Sequence, residues 1–582
     1  MTPAGEPART VRAGSHRPLT IRVTDAPRGI RRVRTGVAWL WLWLSVLVVV
    51  VVPVAARGDA AADPGQSIYL HGTSPQGRPV AATRSDEASV QGQAAACVNC
   101  HQRSGLGGHE GRLLIPPITA RYLFRPRASA REDRDIPFVA GMHGDREPYT
   151  DATLARAIKE GLDSEGKPLN YLMPRYELGE GDMAALLDHL KRLDRLDVPG
   201  VSATTLHFAT IVTPDADPVK RRGMLAVMNQ FFEDRNLRQM VPAPHLVTSG
   251  RTSLSGMMFK VQRRWQLHVW ELTGPEGTWQ KQLDEHLAAE PVFAAISGLG
   301  GRTWAPVHAF CERAALPCLF PNVEAPPADA DHDFYSTYFS RGVLLEAELI
   351  AKSLLGEGGH PRPARVLQVY RGGDIGEVAA AALAATLRSS GLVVTRRVVP
   401  RDAASGAVAD AVRSEPGADA LVLWLRPGDV ASLPATPPTR AAVYLSGQMA
   451  GLERAPLPAG WRRAAEMAYP CDLPDHRRVR VDFAMGWFRA RKIPLVAEQT
   501  QVDTYLALGL LSETLKGVTD TFVRDYLVER LEDTLAHRIM TGYYPHLGVA
   551  VGQRYASKGG YVVRFAPGNG MALVADGDWM VP

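Results

Sequence analysis

The sequence predicts a multidomain protein. An apolar N-terminal helix and a smaller domain around a Cys-x-x-Cys-His motif precede a large α/β domain. Three observations lead there. Gly36 to Ala56 runs 21 residues without a charge. Cys97-Val98-Asn99-Cys100-His101 occurs once in the chain. After Thr204, strand-like and helix-like runs alternate. The length of 582 residues corresponds to three or four folding units at about 150 residues each. A composition of 46% hydrophobic and 22% charged residues is that of a globular protein and excludes a disordered, collagen-like or multi-span membrane chain.

The N-terminus reads as a membrane address. Residues 1–35 hold eight Arg against Glu6 and Asp25, a balance of +6, so the rest of a chain of net charge +5 is near −1. The basic character therefore belongs to this leader, and no basic stripe elsewhere points to nucleic acid. The stretch 36–56 is long enough to span a bilayer as a helix. Arg31, Arg32 and Arg34 stand just before it, which places the leader in the cytoplasm and everything after Arg57 outside. Two readings stay open: a permanent inner-membrane anchor, or a signal peptide cleaved after Ala56 with Val54 and Ala56 as its small residues. Either way the bulk of the chain is expected in the periplasm, touching the membrane only through this helix.

Five Cys are too few for a disulfide scaffold. Residues 97–101 carry the pattern of covalent c-type haem attachment, in which two thiols add across the haem vinyl groups and the adjacent imidazole reaches the iron from the same turn. No second Cys or His pair follows at zinc spacing, and the Gly- and Pro-rich surroundings are unlike a thioredoxin βαβ unit. The expectation is one covalently bound haem c, held by Cys97 and Cys100 with His101 as an axial iron ligand. Met173, in the loop Tyr171-Leu172-Met173-Pro174-Arg175-Tyr176, is the candidate second axial ligand and would raise the potential relative to two His. Met142, His143, His109 and Met183 are the alternatives. A single motif excludes a multihaem wire or a di-haem peroxidase.

Residues 64–195 resemble a class I c-type cytochrome. The resemblance rests on Gly65 through Tyr69, Cys97–His101, Pro116-Pro117, the helix Asp151–Gly161, the Met-Pro-Arg-Tyr loop and the helix Gly181–Leu193. It implies an all-α domain in which the carbonyl of Pro116 or Pro117 holds the other ring nitrogen of His101 and fixes its tautomer. Residues 72–95 depart from the family as a Gly/Ala/Ser/Gln-rich insertion, expected to be a loop.

A linker is expected at 196–204, an α/β domain at 205–570 and a C-terminal tail at 571–582. Strands are read at Leu206–Val212, Gln266–Leu272, Val292–Ser297, Leu316–Phe320, Arg365–Tyr370, Ala420–Leu425 and Ala442–Leu445. Between them lie helices at Arg221–Asn236, Trp279–Ala289, Ala305–Ala314 and Ile375–Ser390. Such alternation argues for a parallel sheet with crossover helices. Val502–Lys516 is apolar on more than one face, as in a helix buried between other elements.

This segment resembles the type I periplasmic solute-binding proteins, the leucine/isoleucine/valine-binding class. The matching stretches are Gly223 through Asn229, Ile296-Ser297-Gly298, Ala305-Pro306-Val307, Leu316 through Asn322 and Asp374-Ile375-Gly376. The resemblance implies two Rossmann-like lobes with a ligand cleft at the carboxyl ends of the strands. Its implied contacts are Ser297, Gly298, Asn322, Asp374 and Gln448, with Arg426 ending a later strand. The loop after Ile296 lacks the Ser/Thr pair that grips an amino-acid carboxylate in that family, and no acid stands at Gln448. Both points argue against a free amino acid. Gly298-Leu299-Gly300-Gly301 lacks the Gly-Lys-Ser/Thr of a phosphate loop. Cys311 and Cys318 are read as either a local disulfide or two buried small residues, leaving Cys471 as the odd thiol.

The function expected from these readings is one-electron transfer by an exported mono-haem cytochrome fused to a small-molecule receptor, serving a periplasmic dehydrogenase. Alternatives are a ligand-responsive redox sensor, or the solute-binding component of a transporter with the haem in an accessory role. The expected partners are a redox protein (dehydrogenase or cytochrome), a small ligand and a permease. No Ser-His-Asp order, paired-carboxylate motif or His-Glu-x-x-His is present, so the chain reads as an electron carrier and binding protein rather than an enzyme.

Overall fold

The structure, a computed structural model, describes residues 63–84, 88–110, 113–124, 146–193, 198–240, 263–327, 333–356, 361–437, 441–518, 521–550, 552–567 and 572–582. The leader 1–35, the apolar stretch 36–56, the first residues of the expected linker and both Met142 and His143 lie outside them. Among the described residues, no helix is long and apolar enough to cross a membrane.

From Thr205 onward the chain builds two α/β lobes. The first holds a five-stranded parallel sheet in the order Ser336–Thr337, Cys318–Leu319, Ala294–Ile296, Thr205–Val212, Arg264–Glu271. The second holds seven strands in the order Val393–Val399, Arg365–Arg371, Ala420–Trp424, Ala442–Ser446, Ala465–Tyr469, Tyr561–Phe565, Leu573–Ala575. The first five of these are parallel and the last two antiparallel. Every residue of Ala420–Trp424 is buried, as expected for a parallel strand covered on both faces. Residues 571–582 were expected as a tail. Instead Leu573–Ala575 closes the edge of the second sheet, and Trp579 packs edge-on against Tyr561.

The helix Glu498–Val518 passes through the largest core. Leu506, Leu508, Leu510 and Leu511 share one buried cluster with Phe208 and Phe293 of the first lobe and Leu421 and Leu445 of the second. That placement explains its apolar residues on several faces, since a helix wrapped by protein needs no polar side. The helix Arg524–His537 packs on it through Leu527, Leu531 and Leu535.

Residues 63–193 are not all-α. The helix Pro64–His71 does cross the helix Glu180–Arg192, so closely that a Cβ on Gly65 would lie 2.1 Å from the Ala185 carbonyl oxygen. Asp63 fastens the pair, accepting from the His189 ring at 2.8 Å and from Arg192 at 2.6 Å. But the insertion 72–95, expected as a loop, contributes strands Ala81–Thr83 and Ser89–Gln91. Ala81–Thr83 is the central strand of a three-stranded antiparallel sheet, with Ser89–Gln91 on one side and Arg175–Glu177 on the other. The short strands Gly108–Glu110 and Leu113–Ile115 form a separate ladder. The physical reason is pairing: the strand directly after Met173-Pro174 needs partners for its backbone, and the insertion supplies them.

Candidate functional site

In each sheet the strand order reverses beside the first strand of the lobe. That places binding loops at the carboxyl ends of Thr205–Val212 and Ala294–Ile296 in one sheet, and of Arg365–Arg371 and Ala420–Trp424 in the other. A cavity of about 100 Å³ opens close by, past the carboxyl ends of Ala294–Ile296 and Cys318–Leu319 in the first sheet and of Ala442–Ser446 in the second. Leu299, Gly300, Asn322 and Glu324 line it from the first lobe, Gln448 from the second, and Thr500, Asp503 and Tyr544 from the segments that cross between them.

Charge at its mouth is already paired. Glu324 accepts from Lys220 at 2.7 Å and from Arg426 at 2.6 and 3.0 Å. Arg426 also donates to both oxygens of Asp374, at 2.8 and 3.0 Å. Burial alone would raise the Glu324 carboxyl, but Lys220 and Arg426 outweigh it and hold it at about 2. Behind the lining residue Gln448, the buried Glu346 accepts from the Ser446 hydroxyl and, at 2.8 Å, from the Gln448 backbone N–H. Burial nonetheless pushes Glu346 up to about 8. Asp503, 7% exposed, receives the Tyr544 hydroxyl on Oδ2 at 3.3 Å, while its Oδ1 is buried without a partner. Burial, opposed by Tyr544 and Arg477, raises Asp503 to about 7.

Of the five residues expected to touch a ligand, Asn322 and Gln448 line the cavity and Ser297, Gly298 and Asp374 do not. Ser297 is fully buried and sits at φ 51°, an uncommon conformation for a residue with a side chain. Its Oγ donates to Thr504 Oγ1 and accepts from Asn322 Nδ2, both at 3.0 Å. It therefore supports Asn322. Gly298 is small for packing, because a Cβ there would lie 2.6 Å from the Trp304 ring. Asp374 belongs to the ion-pair network. Asp503 was not anticipated; its signal was an acid just before the apolar run 506–511 of the helix Glu498–Val518.

The α/β part resembles solved binding proteins. One is a substrate-binding periplasmic protein from Ralstonia solanacearum, at 16% identity and TM-score 0.46, covering 64% of this chain and 99% of that one. Another is a fatty acid ABC transporter substrate-binding protein from Thermomonospora curvata, at 14% identity and TM-score 0.46, covering 66% and 94%. A third is a leucine binding protein from Thermotoga maritima, at 12% identity and TM-score 0.46, covering 65% and 99%. No family model matches the chain, and no curated protein matches it.

The second site is the Cys-x-x-Cys-His turn. Cys97 stands at the N-cap position of the short helix Val98–His101, and neither Cys97 nor Cys100 is in a disulfide. The ladder ending at Ile115 brings the Pro116 carbonyl 3.1 Å from His101 Nδ1. Pro116, rather than Pro117, is thus the partner, and Nε2 is left as the ring nitrogen available to a metal. Burial lowers His101 to about 4, keeping the ring neutral. Met173 packs half-buried against the same core cluster as Cys97, and the three-stranded sheet begins two residues later. Met183 is part of that core. Two thiols and a neutral, anchored imidazole on one turn fit the donor set of a covalently held haem.

Elsewhere, His308, Glu312 and Asp333 lie close enough to hold a metal. Their atoms are spent on structure. Glu312 accepts the backbone N–H of Phe334, Tyr335 and Ser336, and His308 bonds Tyr338 and Asp333. Cys311 and Cys318, on either side of Glu312, form a disulfide.

Proposed function

We propose that this chain is an exported small-molecule receptor that also carries one covalently bound haem. The observation that carries the receptor half is the cavity at the carboxyl edges of both sheets, because a ligand there bridges the two lobes and the segments crossing between them. The haem half is supported by the Pro116 carbonyl on His101 Nδ1, with the thiols of Cys97 and Cys100 on the same turn and outside any disulfide. Bound there, a haem would supply a one-electron couple. Cys97 and Cys100 would hold it, and His101 and Met173 would supply the donor atoms for its iron. Partners in this reading are a small ligand, a periplasmic redox protein and, for uptake, a permease.

One observation favours coupling of the two sites over independent modules. The turn after His101 is docked on the receptor. Ser104 donates its backbone N–H and hydroxyl to Glu529 at 2.8 and 2.5 Å, and Arg103 lies over Phe334 at 4.8 Å and beside Asp525 at 3.9 Å. Glu529 sits on Arg524–His537, which packs on the helix carrying Asp503. The deciding experiment is spectroelectrochemistry of the exported full chain, with and without a pool of periplasmic small molecules. Absence of a haem spectrum rejects the electron-carrier half and leaves a receptor. A potential that moves with ligand supports the coupled, sensing form.

A further inference from the structure

The cavity's polar groups are not evenly matched. Its cation, Lys220, is bonded to Glu324, and the neighbouring Arg426 is shared between Glu324 and Asp374. Neither is left over for an incoming carboxylate. Two residues that line the cavity, Asp503 and Gln448, each carry a buried oxygen without a partner, Oδ1 and Oε1. Burying an acceptor without a donor costs free energy that a ligand can restore by donating. Asp503 Oδ2 is held by Tyr544, which fixes the carboxyl and leaves Oδ1 as its unpartnered acceptor. The volume suits a molecule of a few heavy atoms.

We infer that this cavity takes a small molecule that presents a hydrogen-bond donor head, an ammonium or a hydroxyl, to Asp503 Oδ1 and Gln448 Oε1 and carries no carboxylate. The inference rests on the receptor reading above and narrows its ligand. It also revises the sequence-based expectation that no acid was available to such a group, because the acid comes from the crossing helix Glu498–Val518 rather than from the strand end at Gln448.

The test is thermal unfolding of the full chain titrated with four probes: ethylamine, ethylene glycol, acetate and L-leucine. The expected result is a saturable rise in Tm with ethylamine or ethylene glycol, the stronger of the two naming the head group, and none with acetate or L-leucine. Asp503→Asn can keep the Tyr544 bond while placing an N–H donor where Oδ1 was, so the effective probe should bind about tenfold weaker or worse. Gln448→Leu, at a half-buried position in the short helix Gly447–Ala450, gives a second reading if the Asp503 variant does not fold, and is expected to weaken the same probe. Saturable binding of acetate in place of the donor probes would overturn the inference and leave the receptor reading standing, as would unchanged donor binding in both variants. No saturable shift with any probe would reject the receptor reading and the inference with it.

Discussion

Glu324 and Glu529 are acids displaced in opposite directions, and their positions set opposite pH responses. Glu324 is held at about 2 by Lys220 and Arg426 against the pull of burial. Its folded pKa lies below its unfolded one, so its contribution is present above about pH 4.5 and is lost as pH falls toward 2. Arg426→Gln should remove part of that acid-side loss. Since Arg426 is over a third exposed, the cost near neutral pH should be roughly 1–3 kcal/mol rather than the full cost of breaking a buried pair. Urea unfolding of both proteins at pH 3, 5 and 7 measures it. Gly298 is a separate case. An added methyl would meet both the Trp304 ring and the Ile211 carbonyl oxygen, at 2.6 and 2.8 Å. Gly298→Ala should therefore cost about 1–3 kcal/mol, read by the same denaturation curves. At this scale the sequence was partly legible. Asn322 and Gln448 stand just past strand ends, where α/β sheets bind ligands, and both line the cavity. Ser297 stands at a strand end too, but its side chain is turned into a hydrogen-bonded core. Asp503 lies within a helix, where spacing alone does not distinguish a buried acid that faces a cavity from one bonded to its neighbours.

The continuous apolar strands and the crossover helices follow from local pattern, and they fold where that pattern places them. Strands Ala81–Thr83 and Ser89–Gln91 do not, because they are held by pairing with each other and, through Ala81–Thr83, with Arg175–Glu177, more than eighty residues away, and a short strand carries little signal of its own. The edge strand Leu573–Ala575 escaped notice for the same reason. Two predictions belong to elements. The Cys311–Cys318 disulfide closes a short loop joining the helix Ala305–Arg313 to the next strand. Replacing both by Ser should cost roughly 2–3 kcal/mol by loop-closure entropy, seen as a lower Tm in calorimetry that a reductant reproduces in the parent. The second concerns the helix Arg524–His537. Burial, with the backbone and hydroxyl of Ser104 opposing it and Asp525 and Glu532 adding to it, raises Glu529 to about 8. A raised carboxyl contributes fully below its unfolded pKa and loses that contribution as pH climbs through 8. Glu529→Gln keeps an acceptor for Ser104 and carries no charge. Its Tm should therefore gain on the parent as pH rises from 5 to 8.5, and a constant difference across that range would refute the assignment.

At the scale of the whole molecule, the question is whether two sites on one chain share one equilibrium. The path between them is short in elements: the His101 turn, the Ser104–Glu529 contact, the helix Arg524–His537, and the helix that carries Thr500 and Asp503 to the cavity. Contact alone is not coupling, which is a free energy that must act equally in both directions. A probe that shifts the haem potential must bind the oxidised and reduced protein with affinities differing by the same factor, typically 5- to 150-fold where coupling is real. The expected outcome is a probe-dependent midpoint potential in the parent and a smaller dependence in Ser104→Ala, which removes one of the two bonds to Glu529 and leaves the cavity intact. Cys97→Ala/Cys100→Ala supplies the reverse control. It should lose covalently bound haem, seen as colour extracted by acid acetone, while its probe affinity becomes independent of redox poise. Equal probe dependence in the parent and Ser104→Ala would place the coupling elsewhere. No dependence in either would mean that the docked turn holds the haem domain in place without informing it of the ligand.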